Sequence, residues 1–118
     1  MIAIKLDAFT RAYIECALWA STDDQGEPLD DSYGADDIAP EAMREMIEEC
    51  QAFQADQSAD LADIDSEQAG HDFWLTRNRH GAGFWDRGLG DIGKRLTDAA
   101  HIWGSVDLYL GDDGKIYS

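Results

Sequence analysis

Basic side chains are scarce in this sequence. It has nine lysines and arginines against 25 aspartates and glutamates, so the formal net charge is −16 over 118 residues. Such a charge repels the phosphates of nucleic acid and of anionic lipids, and it attracts basic protein surfaces, including those that normally hold nucleic acid. We therefore expect no direct binding of double-stranded DNA, no membrane binding, and a protein partner with a basic surface.

Long apolar runs and cysteines are scarce too. No run is long enough to span a bilayer, and residues 1–6 lack the charged region and the apolar run of a signal peptide. These absences predict a cytoplasmic protein, in which the two cysteines, Cys16 and Cys50, are reduced thiols. Both fall on the apolar stripe of a predicted helix, which favours small core residues over a redox pair.

Residue patterns that carry chemistry are also missing. The three histidines, His71, His80 and His101, do not have the spacing of a zinc site, and no serine lies in a nucleophile elbow. The glycines of residues 88–93 match a dinucleotide fingerprint, but about 25 residues follow them, too few for a nucleotide-binding fold. We expect no catalytic residue, no metal and no cofactor. The enzymatic alternative is a hydrolase that uses His80 or a pair of carboxylates.

The acidity is concentrated in one segment. Residues 21–67 contain sixteen acidic residues and one basic residue, Arg44. Residues 21–39 are polar and rich in turn formers, which predicts a long loop, and they lack the pattern of a calcium-binding loop. A helix is predicted from Pro40, with apolar residues on one face and carboxylates on the other. We predict that the partner-binding surface consists of Asp23, Asp24, Glu27, Asp30, Asp31, Asp36, Asp37, Glu41, Glu45 and Glu48.

The spacing of these carboxylates decides how well they could imitate DNA. The predicted helix carries seven carboxylates over 22 residues, roughly one per 4.7 Å of helix axis. A DNA strand carries a phosphate about every 3.4 Å. The helix alone is therefore a sparse imitation of a DNA strand, and a mimic needs the acids of the preceding loop. The alternative is an ordinary solvated helix face.

Aromatic residues flank a glycine-containing stretch in the second half of the chain. The runs Phe73-Trp74-Leu75 and Phe84-Trp85 bracket it, which predicts a β-hairpin. A second hairpin is predicted from residues 106–110 and 115–117, a short strand from residues 2–6, and helices from residues 8–20, from residue 40 to about 57, and from 89–104. Together these elements predict one α+β domain over residues 1–118, with three helices packed on a small, mainly antiparallel sheet of two β-hairpins.

Five of the nine basic residues surround the first predicted hairpin. We expect them to form ion pairs with the acidic segment, and these residues are Arg77, Arg79, Arg87, Lys94 and Arg95. A rival hypothesis places a partner-binding site for protein or single-stranded nucleic acid at the hairpin tip, formed by Arg79, His80 and Trp85.

Three motifs resemble a family of small proteins encoded by bacteriophages and mobile elements. They are AYIECALWAS (residues 12–21), EPLDDSYGADDIAPE (27–41) and AGHDFWLTRNRHGAGFWDRGLG (69–90). The family's turn reads Asn-Gly-His-Gly, whereas this chain has Arg79 at the first glycine, which disfavours a left-handed conformation there. The resemblance implies a biological context and no mechanism.

Context and charge together predict a non-enzymatic phage or mobile-element protein that binds a host protein. An anti-CRISPR or anti-restriction inhibitor acting by DNA-like charge mimicry is one form of this hypothesis. The alternative is a phage structural or assembly accessory protein, which self-association in solution would favour.

Overall fold

A computed structural model describes residues 6–23 and 25–118 of the chain. These residues form five α-helices and one two-stranded antiparallel sheet. The elements are α1 (Ala8–Ala20), α2 (Pro40–Asp56), α3 (Ser58–Leu61), α4 (Ser66–Arg77), α5 (Asp91–Trp103), β1 (Tyr109–Leu110) and β2 (Ile116–Tyr117), with short 3-10 turns at Leu29–Asp31, Ala35–Asp37 and Phe84–Asp86. The described fold is therefore mostly helical, and the predicted α+β arrangement of three helices on two hairpins is wrong.

The three predicted helices are confirmed, and local signals explain their ends. The Asp7 carboxylate caps α1 by accepting a 2.8 Å hydrogen bond from the Thr10 backbone N–H. Pro40 occupies the first turn of α2, where its missing N–H costs nothing. Gly104 ends α5 with a φ of 75°, a left-handed conformation that favours glycine.

The first predicted hairpin is wrong because residues 73–75 belong to α4. This helix packs centrally, and its residues from Ala69 to Arg77 are all buried except His71. A helix buried on nearly all sides has apolar residues around its girth, which hides the helical period. The short run Phe73-Trp74-Leu75 then looks like a strand. Phe84 and Trp85, the second predicted arm, lie in a 3-10 turn.

Helices α1 and α4 cross at a glycine. A Cβ atom added to Gly70 would lie 2.8 Å from the carbonyl carbon of Phe9, closer than real Cβ atoms approach. The absence of a side chain at Gly70 therefore lets the two backbones touch. Next to this crossing, the rings of Phe53 and Phe73 stack with centroids 4.1 Å apart, and Phe84 packs against Phe53 at 6.0 Å.

The turn after α4 is left-handed at Arg79, contrary to the expectation from sequence. Arg79 has a φ of 57°, and it is the only non-glycine residue with a positive φ among residues 6–23 and 25–118. The His80 N–H donates to the Leu75 carbonyl at 2.9 Å, and the Arg79 N–H donates to Thr76 at 3.1 Å. These two bonds form a Schellman motif with Arg79 at the position that is usually glycine.

The second predicted hairpin is confirmed. Tyr109 pairs with Tyr117 in the antiparallel sheet of β1 and β2. The Ala39 N–H donates a 2.8 Å hydrogen bond to the Ile116 carbonyl, so the hairpin also anchors the chain at the start of α2. Residues 2–5 of the predicted first strand lie outside the described residues.

The cysteines lie in the core, as predicted from the sequence. Cys16 and Cys50 are buried, free thiols, as predicted for small core residues. None of the described helices combines the length and the apolar character needed to cross a bilayer.

Candidate functional site

The described part of the acidic loop, residues 21–23 and 25–39, has hydrogen bonds that hold it in place. The Asp23 carboxylate accepts from the backbone N–H groups of Gln25 and Glu27 at 2.8 and 3.0 Å. The Leu29 N–H donates to Ser21 at 2.9 Å, and the Leu29 side chain is buried. Two of the predicted partner-binding acids thus have a structural role as well, because Asp37 also accepts a 2.8 Å bond from the N–H of Gly34.

Most of the predicted partner-binding acids face solvent. Glu41, Glu45 and Glu48, which we call the α2 stripe, lie on successive turns of one exposed helix face. At about 1.5 Å rise per residue, the stripe spans about 10 Å of helix axis. The exposed acids of the loop are Glu27, Asp30, Asp31 and Asp36, whereas Asp23 and Asp37 are half-buried. Asp24 lies outside the described residues.

Basic side chains of the described residues do not neutralise these exposed carboxylates. Within residues 6–23 and 25–118, none of the predicted partner-binding acids lies within ion-pair distance of a basic side chain. Other acids of the same segment do form such pairs: Glu49 bonds Arg77 at 2.6 Å, and Asp60 bonds Arg95 at 2.8 Å. The predicted pairing between basic residues and the acidic segment is therefore confirmed for Arg77 and Arg95.

Arg77 is a buried structural residue, and its burial was not predicted from the sequence. Its guanidinium is 3% exposed and donates to Glu49 of α2, to the Tyr13 hydroxyl of α1, and to the carbonyls of Trp103 and Gly104 at the end of α5. One side chain thus joins four helices. A buried charge needs such a set of partners to offset its lost hydration.

A second buried ion pair lies on the other side of α4. Asp72 is 1% exposed, and Arg87 donates to both of its carboxylate oxygens, at 2.8 and 3.1 Å. The Gln68 amide donates a further 3.0 Å hydrogen bond to Asp72. The hydrogen bonds with Asp72 raise the pKa of Arg87. The charge of Arg87 is therefore balanced by Asp72.

An open groove of about 710 Å³ lies between α1 and the first part of α4. The exposed indole of Trp19 stands at this α1–α4 groove, with its ring centroid 6.2 Å from that of His71. The Nδ1 atom of His71 is buried and has no hydrogen-bond partner in the part of the chain that the structure describes. The groove is lined by Ala8, Arg11, Ala12, Glu15, Cys16, Trp19, Asp30, Asp65, Glu67, Gln68, His71 and Arg87.

A second groove of about 440 Å³ adjoins the first along α1. We call it the Tyr33 groove, and it shares Arg11, Glu15 and Asp30 with the α1–α4 groove. Its other lining residues are mainly apolar, namely Leu6, Ile14, Leu18, Tyr33, Gly34 and Ala35. The two grooves therefore meet at Asp30, a member of the acidic loop.

The residues of the predicted hairpin tip do not form one cluster around a hairpin. Arg79 and His80 are exposed in the turn after α4. His80 lines a groove of about 330 Å³ together with Trp74, whose Nε1 is buried and has no partner in residues 6–23 and 25–118. Trp85 is 53% exposed in the 3-10 turn and does not line that groove.

Two of the histidines, His71 and His80, lie apart from one another. His71 and His80 line different grooves. Burial raises the pKa of the Cys16 thiol to about 12 and also raises that of Cys50, which disfavours the thiolate form. Among the described residues, no group of three or more His, Cys, Asp or Glu side chains has the arrangement of a metal site.

No protein-family model, no curated protein and no solved structure matches this chain in comparisons with all three.

Proposed function

We propose that the protein acts by binding, and that its acidic loop and α2 stripe occupy a basic, nucleic-acid-binding surface of a partner protein. The observation that carries the proposal is the difference between two groups of acids in one segment. Glu49 and Asp60 are paired with arginines of the protein, whereas the acids of the α2 stripe and the exposed acids of the loop have no such pair among the described residues. Carboxylates without internal cations are available to an external one.

The order of these acids along the chain also supports charge mimicry. The loop joins α2 directly through Ala39 and Pro40, so the loop acids continue the α2 stripe along the chain. The loop thereby adds the charges that the helix alone lacks in comparison with a DNA strand. Resemblance to proteins of phages and mobile elements favours a host protein as the partner, such as a restriction enzyme or a CRISPR effector.

The test is affinity capture of a nucleic-acid-binding partner from host lysate at low and high salt, with and without added double-stranded DNA. We expect a captured partner to be released by high salt and by DNA, because both compete for its basic surface. The captured protein is then purified, and its affinity is measured for the unchanged protein and for charge-reduced variants.

Two variants of equal charge separate this proposal from simple solubility. The first variant neutralises the α2 stripe with Glu41→Gln, Glu45→Gln and Glu48→Gln. The control neutralises three exposed acids elsewhere, Asp98→Asn, Asp107→Asn and Asp112→Asn, so the net charge of the two variants is the same. We expect the first variant to weaken binding at least tenfold and the control to change it little. Equal affinities of the two variants, or a partner insensitive to salt and DNA, would refute the proposal.

A further inference from the structure

The α1–α4 groove has an excess of negative charge. Four acids line it, Glu15, Asp30, Asp65 and Glu67, and none of them is ion-paired within residues 6–23 and 25–118. Of the two basic residues in the lining, Arg87 is compensated by the buried Asp72, which leaves Arg11. A cationic group entering the groove therefore meets net attraction.

Trp19 gives the groove a flat aromatic wall. Trp19 is 59% exposed, so a large part of the indole is open to a ligand. Its ring is tilted by 33° to the ring of His71 at 6.2 Å, so His71 supports Trp19 from one side and the remaining surface is open. An indole face is the best of the aromatic surfaces for holding a cation.

We propose that the α1–α4 groove binds an arginine side chain of the partner protein, with its guanidinium against Trp19 and between the carboxylates of Glu15 and Glu67. This inference rests on the proposed function, since a basic nucleic-acid-binding surface is the source of the arginine. It adds a specific anchor to an otherwise diffuse attraction of charges.

Several features favour arginine over other occupants. A guanidinium is planar, stacks on an aromatic ring and bonds carboxylates through two N–H groups at once, whereas an ammonium does neither as well. A phosphate or another anion would be repelled by the four acids. The groove also continues into the Tyr33 groove at Arg11, Glu15 and Asp30, which leaves room for the residues that flank the arginine.

The direct test is a titration of the isotope-labelled protein with N-acetyl-arginine amide, followed by NMR. N-acetyl-citrulline amide, which has a similar planar shape and no charge, is the matched neutral probe, and N-acetyl-glutamate amide is the anionic probe. We expect a saturable shift of the Trp19 indole N–H and of the Gln68 amide with the arginine probe alone. Equal shifts with citrulline, or shifts with the glutamate probe, would overturn the proposal.

Two exposed tryptophans provide the variant and its control. Trp19→Ala should weaken binding of the arginine probe about fivefold, as expected for a cation–π contact at an exposed site. Trp85→Ala removes an indole of similar exposure, 53%, outside the groove and should leave the affinity unchanged. Equal affinities of these two variants would also overturn the proposal.

The same variants distinguish a failure of the groove from a failure of the proposed function. If the captured partner binds Trp19→Ala normally and loses affinity for the variant of the α2 stripe, charge mimicry holds and the arginine anchor is wrong. If the captured partner loses affinity for Trp19→Ala and binds the variant of the α2 stripe normally, the arginine anchor in the groove is supported and charge mimicry is wrong.

Discussion

The guanidinium of Arg77 donates a 2.6 Å hydrogen bond to the carboxylate of Glu49, across the contact between α4 and α2. Arg77 is 3% exposed and Glu49 is 31% exposed, so the pair links the core to the acidic face of α2. The same guanidinium lies over the ring of Phe73, 5.4 Å from its centroid. The pair therefore helps to fix α2 against α4, beside the stacking of Phe53 on Phe73.

Removing that cation should destabilise the fold. We expect Arg77→Met to lower the free energy of unfolding by about 3 kcal/mol, because Glu49 and the carbonyls of Trp103 and Gly104 lose their donor. Urea denaturation followed by circular dichroism measures the change. Adding Glu49→Gln should recover a part of the loss and not all of it, since the two carbonyls stay unpaired.

The pair of Arg95 and Asp60 is the control for Arg77, because Arg95 is 57% exposed. Arg95→Met removes a bidentate bond made by a guanidinium that water already screens, so its effect on unfolding should be far smaller. Similar losses for Arg77→Met and Arg95→Met would show that burial of Arg77 has no special role.

The helix crossing at Gly70 should tolerate no side chain. We expect Gly70→Ala to destabilise the protein by about 3 kcal/mol, because its Cβ atom would press on the backbone of Phe9 and push α1 away from α4. Gly34→Ala is the matched control, since a Cβ atom there meets nothing within 4 Å. Thermal unfolding measures both variants, and equal melting temperatures would contradict the close approach.

Glycine at position 79 should stabilise the left-handed turn after α4. Arg79→Gly relieves the unfavourable contact of a side chain at a φ of 57° and should raise the free energy of unfolding by about 0.5–1 kcal/mol, after the extra entropy of glycine in the unfolded chain. Arg79→Ala also removes the guanidinium but keeps the strained conformation. A stabilisation by alanine as large as that by glycine would assign the effect to the lost charge.

The cap of α1 should make stability depend on pH. Partial burial would raise the pKa of the Asp7 carboxyl, but hydrogen bonds from Thr10 and Gln54 outweigh it and hold the pKa below its usual range. The stabilisation from the charged form is therefore fully present above the pKa of the unfolded state, about 4, and is lost as the pH falls through the lower folded pKa.

Two substitutions of Asp7 separate the charge from the cap. Asp7→Ala should lower the free energy of unfolding by about 1 kcal/mol at neutral pH. Asp7→Asn keeps a capping oxygen that does not titrate. The difference in unfolding free energy between the unchanged protein and Asp7→Asn should shrink from pH 6 to pH 3. A difference that stays constant over this range would contradict a lowered pKa of Asp7.

The sequence predicted the fold where local signals decided the structure. Asp7, Pro40 and Gly104 mark helix ends by their own chemistry, and the Asp-Gly turn at residues 113–114 closes the hairpin of β1 and β2. Prediction from the sequence failed at α4, because apolar residues lie around the whole helix and hide its helical period. A signal for α4 was present, since Asp65 is followed three residues later by Gln68, a pair typical of a helix start, and the Asp65 carboxylate accepts from the Gln68 N–H at 3.0 Å.

The candidate sites divide in the same way. The charge and the helical spacing of the α2 stripe are visible in the sequence, so its exposure could be predicted. The α1–α4 groove depends on the crossing of α1 with a helix predicted as a strand, so Trp19 and His71 could not be placed together. Burial of Arg77 was likewise hidden, because its partners come from three distant parts of the chain.

The acidic loop is anchored before any partner arrives. Its first part is closed by the backbone bond from Leu29 to Ser21, and its end is held by the bond from Ala39 to Ile116. A partner therefore meets a loop whose described backbone is already held at both ends, which lowers the entropic cost of association. Binding through such a surface should be fast, and added salt should lower the affinity in large part by slowing the encounter.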